Sequence, residues 1–140
     1  MKFRNWSLVI ISICIFIITG CSNGLENEDQ RIEVQKRIGD NEYKDLKVVT
    51  DNNEVLQVKK ILNDTTFANK KVEMSHPADY HFIFQFKNPK IEAKAVLYQI
   101  WISANKGKVE IKAGDNWYAQ LKGKHAATLF QIVTGEKLAE

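Results

Sequence analysis

Between Val72 and Leu121 apolar and polar residues alternate with a period of two, and this pattern constrains the fold more than any other feature. In a strand successive side chains point to opposite faces, so such alternation marks a sheet with one buried side. Tyr80, Phe82, Phe84 and Phe86 would share one face of a strand, and Val96, Tyr98, Ile100 and Ile102 one face of the next. Asn88-Pro89 turns the chain between them. Ala104-Asn105-Lys106-Gly107 reads as a hairpin turn into Val109 and Ile111, and Ala113-Gly114-Asp115-Asn116 as another into Trp117, Ala119 and Leu121. Val72 and Met74, alternating with Glu73 and Ser75, extend the pattern upstream. Ile32, Val34, Lys36 and Ile38 predict a first strand, broken by Gly39-Asp40-Asn41, and Leu46–Val49 a short second one.

Two segments carry the helical period instead. Asp51 with Glu54 three positions on forms a helix start, and Val55, Val58, Ile61 and Leu62 follow on one stripe before Asn63-Asp64. Ala126, Leu129, Phe130 and Val133 predict a last helix that Gly135 stops and that has no strong cap near Gly123. The expected fold class is α+β: an antiparallel sheet of five to six strands with two helices packed on its aromatic face. Tyr80, Phe82, Phe84, Phe86, Tyr98, Ile100, Ile102 and Trp117 would then be buried under the helices.

The amino terminus has a different character. Lys2 and Arg4 precede an uncharged apolar run from Trp6 to Ile18, and Ile18-Thr19-Gly20-Cys21 closes it. At about 1.5 Å per helical residue this run reaches only ~20 Å, against roughly 30 Å of hydrocarbon, so it reads as a secretory leader rather than a permanent span. The closing tetrapeptide resembles a lipobox, in which a cysteine thiol accepts diacylglycerol. Residues 1–20 would be removed and Cys21 would become the acylated first residue. Two acyl chains anchor stably where one binds reversibly. Ser22–Gln30, polar and acidic at Glu26, Glu28 and Asp29, reads as a tether, and 31–140 as a single domain.

Composition narrows the function classes. Two of the 20 basic residues lie in the leader and all 17 acidic residues lie beyond it, so cleavage lowers the formal charge from +3 to +1. Nothing in that balance calls for a nucleic-acid partner. Cys21 is the sole cysteine left after cleavage, so lipidation would leave no disulfide, thiol nucleophile or cysteine–zinc site.

Helix 51–64, the stretch Lys71-Val72-Glu73-Met74-Ser75-His76-Pro77-Ala78-Asp79-Tyr80, the segment Asn88–Tyr98 and Tyr118-Ala119-Gln120-Leu121 resemble the YhfM-like lipoprotein domain family of bacilli. The likeness covers about Leu46 to Leu138. It implies a lipid-anchored α+β domain and carries over no catalytic or ligand-binding residue and no cofactor.

Chemistry has few candidate places. His76, Asp79 and His81 bring two imidazoles and a carboxylate close in sequence, a weak metal or hydrolytic set whose spacing matches no established metal motif. The competing reading is a Pro77 turn hydrogen-bonded by its neighbours, with His81 on a wet face. No Gly-x-Ser-x-Gly elbow or phosphate-cradling glycine run occurs, so the chain reads as a non-enzyme. The face opposite the aromatics mixes Ile83, Leu97, Trp101 and Tyr118 with Gln99, Gln120 and His81, a composition that fits recognition of an envelope protein or an extended ligand. The alternative is that a loop, the tether or the first strand covers Trp101. The expectation is thus a non-catalytic binding lipoprotein on the extracytoplasmic face of a Gram-positive membrane, centred on Trp101 and Tyr118.

Overall fold

A computed structural model describes residues 29–104 and 107–139. The leader, Cys21, the tether up to Glu28, and Asn105-Lys106 of the first hairpin turn lie outside the described residues. Among those described, no helix is long and apolar enough to cross a membrane.

Strands β1 (Gln30–Arg37) and β2 (Tyr43–Val49) are followed by helix α1 (Asn52–Asp64) and a two-residue strand β3 (Ala68–Asn69). Then come β4 (Tyr80–Phe86), β5 (Tyr98–Ile102), β6 (Lys108–Ala113), β7 (Trp117–Lys122) and helix α2 (Gly123–Thr134). All pairings are antiparallel, in the order β2-β1-β4-β5-β6-β7-β3. The class is therefore α+β as expected, with seven strands instead of five to six; β3 is too short to leave a periodic trace. Both helices lie on one face. Ile32 and Val34 of β1, Phe82, Ile100, Val109 and Ile111 form the sheet's share of the core, against Val58 of α1 and Leu129 and Val133 of α2.

Local chemistry explains the boundaries. Asp51 caps α1, accepting a hydrogen bond from the Glu54 backbone N–H at 3.0 Å, and Val55, Val58, Ile61 and Leu62 form its buried stripe. Gly135 takes the left-handed conformation that ends α2 (φ 77°), and α2 has no side-chain cap at its start. Asn41, also left-handed (φ 58°), turns β1 into β2. The first strand stops at Arg37, and Ile38, expected within it, is exposed.

The two edges of the sheet are built differently. β3 pairs with β7 through two residues only. β2 carries Lys44, Asp45 and Lys47, and its register against β1 shifts between Val34 and Gln35. Lys47 also reaches across to the Ile132 carbonyl of α2 at 3.0 Å.

Val72 and Met74 belong to no ladder, contrary to expectation. The reason is topological. β3 lies on the far edge beside β7, while β4 lies four strand spacings away, about 19 Å. Residues 70–79 must cover that distance, and ten residues reach up to about 33 Å. The helices occupy the inner face, so the segment crosses the outer one as a strap. Val72 and Met74 are half-buried between exposed Lys71, Glu73 and Ser75, so the alternation records a strap laid down on one side.

Candidate functional site

The sequence-predicted face lies beneath this strap. Trp101 points outward as expected but is only 4% exposed, because its Nε1 donates to the His76 carbonyl at 2.8 Å and the strap closes over it. The Lys112 ammonium stands 5.5 Å from the Trp101 ring and donates to the Val72 carbonyl, pinning the strap a second time. Tyr43 pins it a third time, donating to the Ala78 carbonyl at 2.8 Å. Tyr118 is half-buried, its hydroxyl held by Glu110 at 2.5 Å and its ring 5.1 Å from the Lys70 ammonium. Burial and then the Glu110 contact raise its pKa. Gln120 is exposed, and Gln99 lies 3.4 Å from His81 Nε2. The structure thus corrects the expectation of an open recognition surface centred on Trp101 and agrees with the alternative, cover by a loop: the environment of Trp101 is that of a second, outer core.

His76, Asp79 and His81 do not converge either. His76 is exposed, with Nδ1 2.8 Å from the Pro77 carbonyl. Asp79 is committed to structure: one oxygen accepts from Ile102 N–H at 2.8 Å and the other pairs with Arg37 at 3.3 Å. His81 stacks on Tyr43 with ring centroids 3.7 Å apart, and burial lowers its pKa below the ordinary 6.5. Among the described residues, no group of three histidine, cysteine or acidic side chains is placed to hold a metal.

The inner face is open where the sequence predicts burial. β4 pairs with β5 only over Tyr80–Phe82, against Tyr98–Ile100. Beyond Phe82 the chain leaves β5 and returns through residues 87–97, and β4 keeps β1 alone as a partner. The parting strands leave a cleft of about 410 Å³. Phe84, Phe86 and Tyr98 line it from the sheet, Lys59 and Leu62 from α1, and Ala93–Val96 from the connection. Phe84 and Phe86 are therefore half-buried. On the same face Ile102, at the far end of β5, and Trp117, level with Tyr98 across β6, are exposed at 40% and 48%, a further departure from the expected cover. Val96, expected within the strand, precedes it and is 50% exposed.

The aromatic floor is packed ring against ring. Tyr98 stacks flat on Phe82 at 4.8 Å between centroids, and Phe84 meets Tyr98 edge-on at 5.8 Å. Burial raises the Tyr98 pKa, so its phenol stays neutral at physiological pH. The Lys59 ammonium stands 5.7 Å from the Phe84 ring. The connection is tied at both ends: Lys87 reaches the Thr50 carbonyl and Asn52 at 2.9 and 2.8 Å, and Gly114 N–H donates to the Leu97 carbonyl at 2.9 Å. Single-residue periodicity does not reveal this site. The spacing of ten residues between Asn88 and Tyr98, too long for a tight hairpin, was the available signal.

A family model described as YhfM protein matches residues 26–139, which extends the resemblance upstream through β1 and β2. No curated protein and no solved structure matches the chain.

Proposed function

The chain belongs to the YhfM protein family, and from that premise we propose that it is a membrane-anchored cell-surface lipoprotein that binds a ligand without transforming it. Cys21 carries the diacylglyceryl anchor, and the domain stands on the extracytoplasmic face of the membrane. Binding takes place in the inner-face cleft. The observation that carries this reading is the aromatic floor of Phe84, Phe86 and Tyr98, half-buried in a cleft walled by α1 and residues 93–96 beside the close-packed core of Phe82 and Ile100. Its volume of about 410 Å³ falls within the roughly 300–1,000 Å³ of small-molecule sites.

Support for the anchor comes from the lipobox-like Ile18-Thr19-Gly20-Cys21 and from the charged and apolar segments before it. Both halves of the reading are tested in cells. Mass spectrometry of the membrane-extracted protein is expected to find acylated Cys21 at the amino terminus, and Cys21→Ala to release the chain from the membrane fraction. A photoreactive residue replacing Val96 is expected to capture an adduct that the same residue at Gln120, on the opposite face, does not. Identical products at both positions, or none at Val96, overturn the binding assignment.

A further inference from the structure

We infer that the cleft takes a monomeric long-chain fatty acid, its chain on the aromatic floor and its carboxylate beside Lys59 and Lys94; this rests on the binding role proposed above. Three observations point to that chemistry. Apolar side chains dominate the lining: Leu62, Phe84, Phe86 and Val96 offer nothing to an ionic or strongly hydrated ligand, and Tyr98 adds an aromatic ring with a single hydroxyl. Two lysines line the same cavity and no aspartate or glutamate does, so the charge it presents is positive. Lys59 is half-buried over the Phe84 ring, which sets one cation directly beside the apolar floor.

An opposing field exists, and magnitudes decide between the two. Leu62 and Asn63 belong to the last turn of α1, whose dipole contributes about half a negative charge, falling off within that turn. Two full positive charges outweigh it. An extended peptide fits less well. The stretch of β4 without β5 as partner is only Ile83–Phe86, and alternate residues of an antiparallel strand bond to each side, so about two positions remain for a ladder. Position favours a lipid source. Gln30 lines the cleft and follows Cys21 by nine residues, so an anchored chain holds the cleft within about 30 Å of the bilayer.

The test uses the chain from residue 21 onward with C21S, which keeps every element and core residue described. Binding of the fluorescent fatty acid cis-parinaric acid is compared with that of its neutral methyl ester. Saturable one-to-one binding of the acid is expected. K59A/K94A is expected to weaken it about tenfold, the loss of a charge-assisted contact, while leaving the ester unchanged. V96E, at an exposed cleft position, should abolish both; L56E, exposed on α1 outside the cleft, should alter neither. Equal affinity for acid and ester in both proteins overturns the fatty-acid assignment and leaves the binding role standing. Association with phosphatidylglycerol vesicles but not with the monomeric acid overturns it in favour of a membrane-docking surface. No lipid binding, with self-association that V96E removes, gives the cleft to a second copy.

Discussion

Tyr80 and Phe82 share one face of β4 with Phe84 and Phe86, yet the first pair is 3% and 1% exposed and the second pair is half-buried. Hydrophobicity does not explain the contrast, since Tyr80, the most polar of the four, is among the most buried. What separates them is what lies beside and above. Tyr80 meets Phe130 of α2 edge-on at 5.7 Å, and Phe82 stacks on Tyr98 where β4 and β5 are still paired. Past Phe82 the neighbouring strand departs. Periodicity therefore assigns a side chain to a face, but burial also needs a partner strand and a covering layer, which residues far away in sequence supply.

Truncation along β4 gives the largest expected effect and the most direct attack on this contrast. Phe82→Ala should destabilise the fold by about 3–5 kcal/mol, because transfer and cavity terms both apply. Phe84→Ala, at the open end, should cost about 1–2 kcal/mol, since water already reaches the site. Urea denaturation of the two variants measures both. Equal losses would mean that the cleft is not a gap in the core.

The outer face sharpens the comparison with a smaller change. Trp101→Phe keeps an aromatic ring under the strap and deletes the bond to the His76 carbonyl. About 1 kcal/mol of stability should be lost, with faster proteolysis within residues 70–79. Unchanged cleavage there would show that Lys112 and Tyr43 hold the strap without it.

The smallest effect concerns pH. Burial disfavours the imidazolium of His81, so its folded pKa lies below the 6.5 of an exposed histidine. As pH falls below about 6.5 the unfolded chain takes up a proton that the folded one resists, so stability declines in that window and is complete above it. His81→Phe retains the stack on Tyr43 and should flatten this part of the stability–pH curve relative to the parent. Parallel curves would assign the acid sensitivity elsewhere.

Much of the fold was legible because its signals are local. The Asp51 cap, the stripe of α1, Gly135 after α2 and the Ala113–Asn116 turn were each encoded within a few residues and each stands. The candidate sites fared differently. Trp101 was assigned to the correct face, but its cover arrives from a strap that exists only because β3 and β4 are far apart in the sheet. The alternation at Val72 and Met74 was real and its cause misjudged, since an extended segment packed on one side writes the same pattern as a strand. The cleft was illegible for the complementary reason: Phe84 and Phe86 look like core in any window that excludes the departure of β5.

The unequal edges of the sheet have a consequence for how copies of the domain meet at high concentration. A two-residue border offers almost no template, and a border carrying lysines and an irregular register repels or misaligns an incoming chain. Neighbouring copies thus have little means of stitching their sheets together into fibrils, however concentrated they become.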